Sequence, residues 1–362
     1  MTTADQVLVA ITGSNGTIGY AALLHALRSN YRVRAIVRRP SAISTIKSGP
    51  SAQPYLHRIE YAIVPDNTVL GAYDDALAGV KYVVHIAGAW PLPHLHPDSD
   101  IYWPFIKSTK ELVTAAQKSG TVKRMVFTQA GAGLVDSEDG DTLGNEMKKV
   151  LDENVDVSQS SLTYRPPLKS PHNAYTSAKA QCMTYLSSLS ALPFSIAQII
   201  PGTVIGPSEF CTTSAQAFAH MDRQTRALLF ADNHPRYAFG FVHVDDCARI
   251  HIEALNEDKV GKEMPRWYVA AATVEEGVTG EELWASAADM VEREFATEVE
   301  AGLFKVGRSK VPINIPFRAD SRLTEKLLLG GEEIRGLEQC VEEVARWYVD
   351  LKRREAVSSG LQ

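Results

Sequence analysis

The sequence predicts an α/β fold, a parallel sheet covered on both faces by helices, and two observations predict it. Continuous apolar, β-branched runs alternate along the chain with stretches of helical apolar spacing. The first of these runs then passes through a glycine-rich turn directly into a helix, "QVLVAITGSNGTIGYAALLHALRS". A strand buried on both faces has no polar side to show, so it reads as a run rather than as an alternation.

The elements follow in order. "QVLVAIT" reads as a buried strand, "AALLHALRS" as a helix and "YRVRAIV" as the next strand. "KYVVHIAG", "KRMVFTQ" and "FSIAQIIPG" continue the series, with helical stretches between them. From about residue 201 the regularity weakens: strands such as "YAFGFVHV" and "RWYVAAA" mix with the helices "DDCARIHIEAL" and "GLEQCVEEVARWYVDLKRR". The expected organisation is a sheet domain over residues 1–200 and a smaller C-terminal α/β lobe over 201–362, with segments such as 237–255 returning to the core domain. The last helix has a helical apolar face, which packing explains fully.

Composition narrows the function. The chain has 362 residues, 45% hydrophobic and 22% charged, with a formal net charge of −6. There is no broad positive field, so nucleic acid is not an expected partner. Cys182, Cys211, Cys247 and Cys340 are too scattered for a CxxC metal pair and too few for a disulfide framework. The amino terminus shows no basic-then-apolar signal, and no run of about 18 apolar residues occurs. The expectation is a cytoplasmic protein, monomer or homodimer, that meets a small-molecule substrate and neither membrane nor nucleic acid.

The first chemical motif is "ITGSNGTIG". Gly13, Gly16 and Gly19 stand three apart between strand and helix, the context in which backbone amides approach a pyrophosphate at a helix N-terminus. A glycine-rich structural turn is the other reading. With the dinucleotide reading, the fold becomes a Rossmann-type doubly wound sheet. The second strand then discriminates between coenzymes. Val37 stands where a carboxylate usually meets the ribose 2′-hydroxyl of NAD, and Arg38 follows at once, with Arg39 and Lys47 close by. A guanidinium suits a 2′-phosphate in shape and charge, which favours NADP over NAD; solvated surface cations are the plainer alternative.

The second motif is "NAYTSAKAQ". On a helix, Tyr175 and Lys179 project from one face, where an ammonium lowers a phenol's pKa and makes it a usable acid or base. An exposed helix pair is the alternative, and the position after the fifth sheet strand is what gives the motif weight.

With these motifs together, the chain resembles an extended short-chain dehydrogenase/reductase of the dihydroflavonol reductase, cinnamoyl-CoA reductase and fungal ketone/aldehyde reductase branch. The segments "TGSNGTIG", "VRAIVRRP", "KYVVHIAGA", "FTQAGAG", "YTSAK", "IIPGTVIGP", "FVHVDDCARIHIEAL" and "ADSRLTEKLLLG" carry the likeness in the right order. The resemblance implies that Gly13, Ser14, Asn15, Gly16, Thr17, Ile18 and Gly19 form the pyrophosphate loop and that Arg38 meets the 2′-phosphate. It places Asp66 and Asn67 at the adenine end, Ala87 and Gly88 at the coenzyme ribose, and Pro201, Gly202, Thr203 and Val204 near the nicotinamide carboxamide. Tyr175 becomes the proton donor, and Lys179 its activator and a ribose ligand.

One position departs from the pattern. Relatives read threonine-serine-serine where this chain has Thr128, Gln129 and Ala130, so alanine stands at the orienting hydroxyl. Thr128, two residues earlier on the same side of the strand, is the expected substitute; Gln129 through its amide is a second. The third reading is a site weakened as a reductase, since one lost oxyanion donor costs about 100- to 1000-fold. The resemblance therefore implies an NADP-dependent oxidoreductase acting on the carbonyl or secondary alcohol of an apolar, aromatic or polyketide-type secondary metabolite. Left open beside it are a non-redox lyase, isomerase or cyclase, a sugar-nucleotide epimerase/dehydratase and an NADP-binding sensor.

Around the pair, Trp90, Ala130, Gly131 and Phe210 are the expected substrate contacts, with the mostly apolar run Phe210–Met221 as a further wall. Residues 131–172 form a long connection at the substrate mouth, acidic at Asp136, Glu138, Asp139 and Asp141. His94 and His96 alternate as metal ligands can, but no third ligand accompanies them and no metal is expected. His243 and Asp245 are assigned a structural place.

Overall fold

The computed structural model describes residues 6–136, 144–261, 264–358 and 360. Glu138, Asp139 and Asp141 lie outside the described residues. The chain opens with β1 (Leu8–Thr12), α1 (Thr17–Arg28), β2 (Arg32–Val37), α2 (Pro40–Ser48) and β3 (Ile59–Ile63). It continues through β4 (Tyr82–His85), α3 (Trp103–Ser119), β5 (Arg124–Thr128), β6 (Lys149–Leu151), α4 (Gln159–Thr163), α5 (Pro171–Ser188) and β7 (Ser195–Pro201). The later elements are β8 (Thr203–Ile205), α6 (Ser214–His220), α7 (Arg223–Phe230), β9 (Phe241–His243), α8 (Val244–Glu253) and β10 (Tyr268–Ala270). The chain closes with α9 (Gly280–Glu294), α10 (Ala296–Glu300), β11 (Phe317–Ala319), α11 (Arg322–Leu328) and α12 (Leu337–Ser358).

Seven strands form one parallel sheet in the order β10-β7-β5-β4-β1-β2-β3. The order reverses between β4 and β1, which opens a crevice at the carboxyl ends of these strands, the usual ligand place in such sheets. The fold class is therefore the expected one. Strand alternation assigns each face its helices. Val126 of β5 packs with Val9, Leu23 and Leu27 on the side of α1 and α8, whereas Met125 and Phe127 pack with Leu112, Val113 and Ala116 of α3 on the other.

Residues on both sides of position 201 build this sheet. Tyr268–Ala270 of "RWYVAAA", which the sequence groups with the C-terminal part, forms its outermost strand beside β7. Arg124 helps to fix that end. It is 4% exposed, and its guanidinium donates to Ala254 O, Asn256 O and Val260 O at 3.2, 3.3 and 2.9 Å and to Ser195 at 2.8 Å.

A second core gathers Trp284, Phe295, Phe304, Val341 and Tyr348 between α9 and α12. Thr279 and Glu282 cap α9 reciprocally, which fixes where that helix begins. Two short parallel pairs, β8 with β9 and β6 with β11, link this core to the sheet.

Candidate active site

The glycine turn has the backbone that a dinucleotide requires. Gly13 has φ +72°, and a Cβ on it would stand 3.0 Å from the Ala87 nitrogen; a Cβ on Gly19 would stand 2.0 Å from Gly13 O. Only hydrogen fits at either place, so α1 starts close against the end of β1. No side chain caps α1, and its first turn has no acidic residue, so the N–H groups of that turn have no capping side chain and the positive end of the helix stands behind them. This cradle fits the pyrophosphate of a dinucleotide coenzyme. Asn15, Gly16 and Thr17 are exposed for that contact, whereas the Ser14 side chain is buried and donates to Ile11 O at 2.6 Å. Ser14 therefore serves the turn itself.

Around the cradle, Thr12 Oγ1 accepts from the Ile86 and Ala87 nitrogens, both at 3.1 Å. With both lone pairs used, its proton goes to His85 Nδ1 at 2.9 Å. Burial, with the Lys179 charge added, pushes His85 down to about 3, so it stays neutral. Gly88 lies under Phe105, where a Cβ would meet the ring at 2.5 Å. Arg38 and Arg39 are exposed just past β2. Asp66 accepts from Thr68 N and Thr68 Oγ1 at 2.8 and 2.6 Å, which holds its carboxyl below the usual range. Asn67 adjoins it. Pro201 ends β7, and Thr203 and Val204 form β8; a Cβ on Gly202 would strike Gly240 at 2.7 Å.

Tyr175 and Lys179 lie one turn apart on α5, a helix started by Ser170, whose side chain accepts from Asn173 N, with Pro171 at its first position. Lys179 is 8% exposed and donates to the Thr128 carbonyl at 2.8 Å, so the end of β5 anchors the ammonium. Its nitrogen lies 4.7 Å from the Phe105 ring centre and 5.9 Å from that of Tyr175. Burial brings Lys179 from its ordinary 10.5 down to about 8 and pushes the Tyr175 phenol up. The Tyr175 ring stands between Trp90, at 5.8 Å, and the edge of Phe105, at 5.6 Å. Among the described residues none hydrogen-bonds its hydroxyl.

The expected substitute for the missing hydroxyl is not available. His251 Nδ1 lies 2.7 Å from Cys247 O, which only accepts, so this nitrogen carries the proton. Nε2 is then the acceptor, and the Thr128 hydroxyl 2.9 Å away donates to it. Burial holds His251 near 4, so the tautomer is neutral at neutral pH. The Thr128 side chain thus faces α8 with its proton spent, and only its carbonyl serves the site. Gln129 is turned away from the site: it is buried, its amide donates to Gln198 at 2.7 Å, and Gln198 donates to Ser187 at 3.0 Å. Ala130 follows in extended backbone, partly exposed, and Gly131 is buried under Phe239, where a Cβ would meet the ring at 2.6 Å.

One more expectation changes. Phe210 packs on Tyr20 of α1, ring centres 4.5 Å apart, on the sheet face opposite the Tyr175 cluster; its neighbour Glu209 accepts from the Tyr20 hydroxyl and from Ser51 N. The aromatic wall that the sequence left unassigned is Phe105, on α3, with Phe239 over Gly131. His96 caps the turn that leads into α3, accepting from the Asp98 and Ser99 nitrogens. His243 caps α8 and lies 3.2 Å from Glu343 of α12.

A glycine cradle at the reversal point of a doubly wound sheet, with a tyrosine–lysine pair across the crevice, defines an NAD(P)-dependent enzyme of the extended short-chain dehydrogenase/reductase class. The sequence model of the NAD dependent epimerase/dehydratase family matches residues 9–270, and the chain belongs to that family. It is 25% identical to the ketoreductase CTB6 of Cercospora nicotianae over 96% of both chains, and 28% identical to the ketoreductase sphI of Aspergillus fumigatus over 80% of this chain and 84% of that one. Among solved structures, the Candida albicans Gre2 complex with NADPH superposes with a TM-score of 0.70 at 20% identity, covering 95% of this chain and 99% of that one. No helix of the described residues is long and apolar enough to cross a membrane.

Proposed function

We propose that the protein is an NADP-dependent carbonyl reductase, or the corresponding secondary-alcohol dehydrogenase, acting on an apolar small molecule. The observation that carries this reading is the Tyr175 hydroxyl, which has no hydrogen-bond partner among the described residues, beside an ammonium that Thr128 O holds in place. Ketoreductase relatives support it. The missing carboxylate at Val37 and the exposed Arg38 beside it favour the phosphorylated coenzyme.

In this reading the residues of the glycine turn, Arg38, Ala87 and Pro201–Val204 hold NADPH, which supplies the hydride to the substrate carbonyl carbon. Tyr175 gives its proton to the carbonyl oxygen as charge develops there. Lys179 stabilises the phenolate that remains, and its carbonyl anchor keeps the ammonium from swinging into solvent. Trp90 and Phe105 flank the phenol with apolar surface, which excludes water from the proton transfer.

A second reading rests on position 130. Thr128 gives its hydroxyl proton to His251, Gln129 turns its amide to Gln198 and Ala130 has no donor, so none of the three brings a side-chain hydroxyl to Tyr175. A pair left alone in this way also suits elimination or isomerisation, with proton transfer and no net redox change. NADPH oxidation assayed against a panel of aryl ketones separates the two. Tyr175→Phe should lower turnover about 100- to 10,000-fold with coenzyme affinity nearly unchanged, and retained turnover removes the assigned acid.

A further inference from the structure

Arg223 is the first residue of α7, at the positive end of the helix, where a cation is disfavoured. The adjacent carboxylate attracts it but does not pair with it. Asp222 is spent on capping, with bonds from Gln224 N, Thr225 N and Thr225 Oγ1 at 2.8, 3.0 and 2.5 Å. Arg226, one turn on, has its own partner in Asp232 at 3.5 Å. Among the described residues Arg223 makes neither a hydrogen bond nor an ion pair; its one recorded contact is with Trp90, whose ring centre lies 5.7 Å from the guanidinium carbon. Loss of hydration lowers its proton affinity, Asp222 opposes that and Arg226 adds to it.

The location gives this lone cation its meaning. Trp90 lies between Arg223 and the Tyr175 ring, less than 6 Å from each, and 56% of its surface is exposed. The mouth of the site therefore offers a half-exposed indole with the phenol on one side and, over its ring, an exposed guanidinium that no hydrogen bond or ion pair holds among the described residues. We propose that Arg223 is a specificity-determining residue that pairs with a carboxylate of the substrate, whose flat apolar body lies on Trp90 with its carbonyl at Tyr175. With the neighbouring Arg226 paired to Asp232 and no second free cation beside Arg223 among the described residues, one guanidinium matches a single negative charge, which favours a carboxylate over a dianionic phosphate. The substrate class is thus a keto acid with an aryl or similarly flat body, and the inference rests on the carbonyl-reductase reading.

The test uses the full chain saturated with NADP⁺ and a non-reducible pair, 2-naphthoate and 2-naphthamide, with calorimetric titration as the readout. Wild type should bind the acid at least ten-fold tighter than the amide. Arg223→Gln should weaken the acid ten-fold or more and change the amide less than two-fold, and Arg223→Lys should restore part of the preference. Equal affinities in wild type, or acid binding indifferent to Arg223→Gln, overturn the proposal. Turnover of 4-acetylbenzoate and its methyl ester keeps the two readings apart. Acid-selective, Arg223-dependent binding without reduction of either ketone sustains the anion site and removes the reductase, whereas equal kcat/KM for acid and ester in wild type and Arg223→Gln does the reverse.

Discussion

Replacing Lys179 with methionine should abolish turnover and stabilise the fold. The ammonium is buried, and burial brings it from 10.5 down to about 8. Each pH unit is worth about 1.4 kcal/mol, so holding this charge at pH 7 costs the folded state about 3 kcal/mol relative to the unfolded chain. Methionine fills similar volume without charge and leaves the Thr128 carbonyl without its donor, a loss of about 1 kcal/mol. The net expectation at pH 7 is a variant more stable by about 2 kcal/mol. The pH dependence has a definite sign. Because the folded pKa is the lower one, the unfolded chain binds more protons between about pH 8 and 10.4, and the wild-type contribution rises with pH through that window. Urea unfolding of both proteins from pH 7 to 10 should therefore show the advantage of Lys179→Met shrinking as pH rises, while other titrating groups cancel in the difference. A variant less stable than wild type at pH 7, or a gap independent of pH, refutes the reasoning.

Other expectations follow from the same geometry. Arg38→Ala should raise the KM for NADPH about ten- to a hundred-fold, the worth of a charge-assisted hydrogen bond, and leave NADH within about two-fold; equal losses would remove the phosphate contact. Gly19→Ala places a methyl 2.0 Å from Gly13 O, so coenzyme binding followed by NADPH fluorescence should disappear, and normal binding would contradict the close approach. Ala130→Ser restores a hydroxyl at the end of β5 and should raise ketone reduction about 100-fold, the lower part of what an oxyanion donor is worth. No gain, together with loss of another product, favours the non-redox reading.

The coenzyme half was readable from sequence because its signals are local. A strand, three glycines and a helix within twenty residues leave few backbone solutions, and Tyr175 and Lys179 share one turn of α5. The fate of Thr128 was not readable. Its partner His251 lies 123 positions later on α8, and alternation says only which face a side chain takes, not that another group consumes its proton. Phe210 was misplaced for a similar reason: an aromatic after β8 packs wherever the chain next turns, and Tyr20 with the Glu209 contacts draws it to α1. Phe105 carried no motif, and only the docking of α3 against α5 brings its ring to both Tyr175 and Lys179.

The anchoring of Arg124 has a consequence for how the chain is made. Its guanidinium takes three of its partners from residues 254–260, and β7 gains its outer neighbour only when Tyr268–Ala270 arrives. A nascent chain halted near residue 200 would leave that cation with Ser195 as its one remaining partner of the four, and a bare sheet edge. The sheet thus closes only after some seventy further residues have been added, so its completion waits on the part of the chain beyond residue 201.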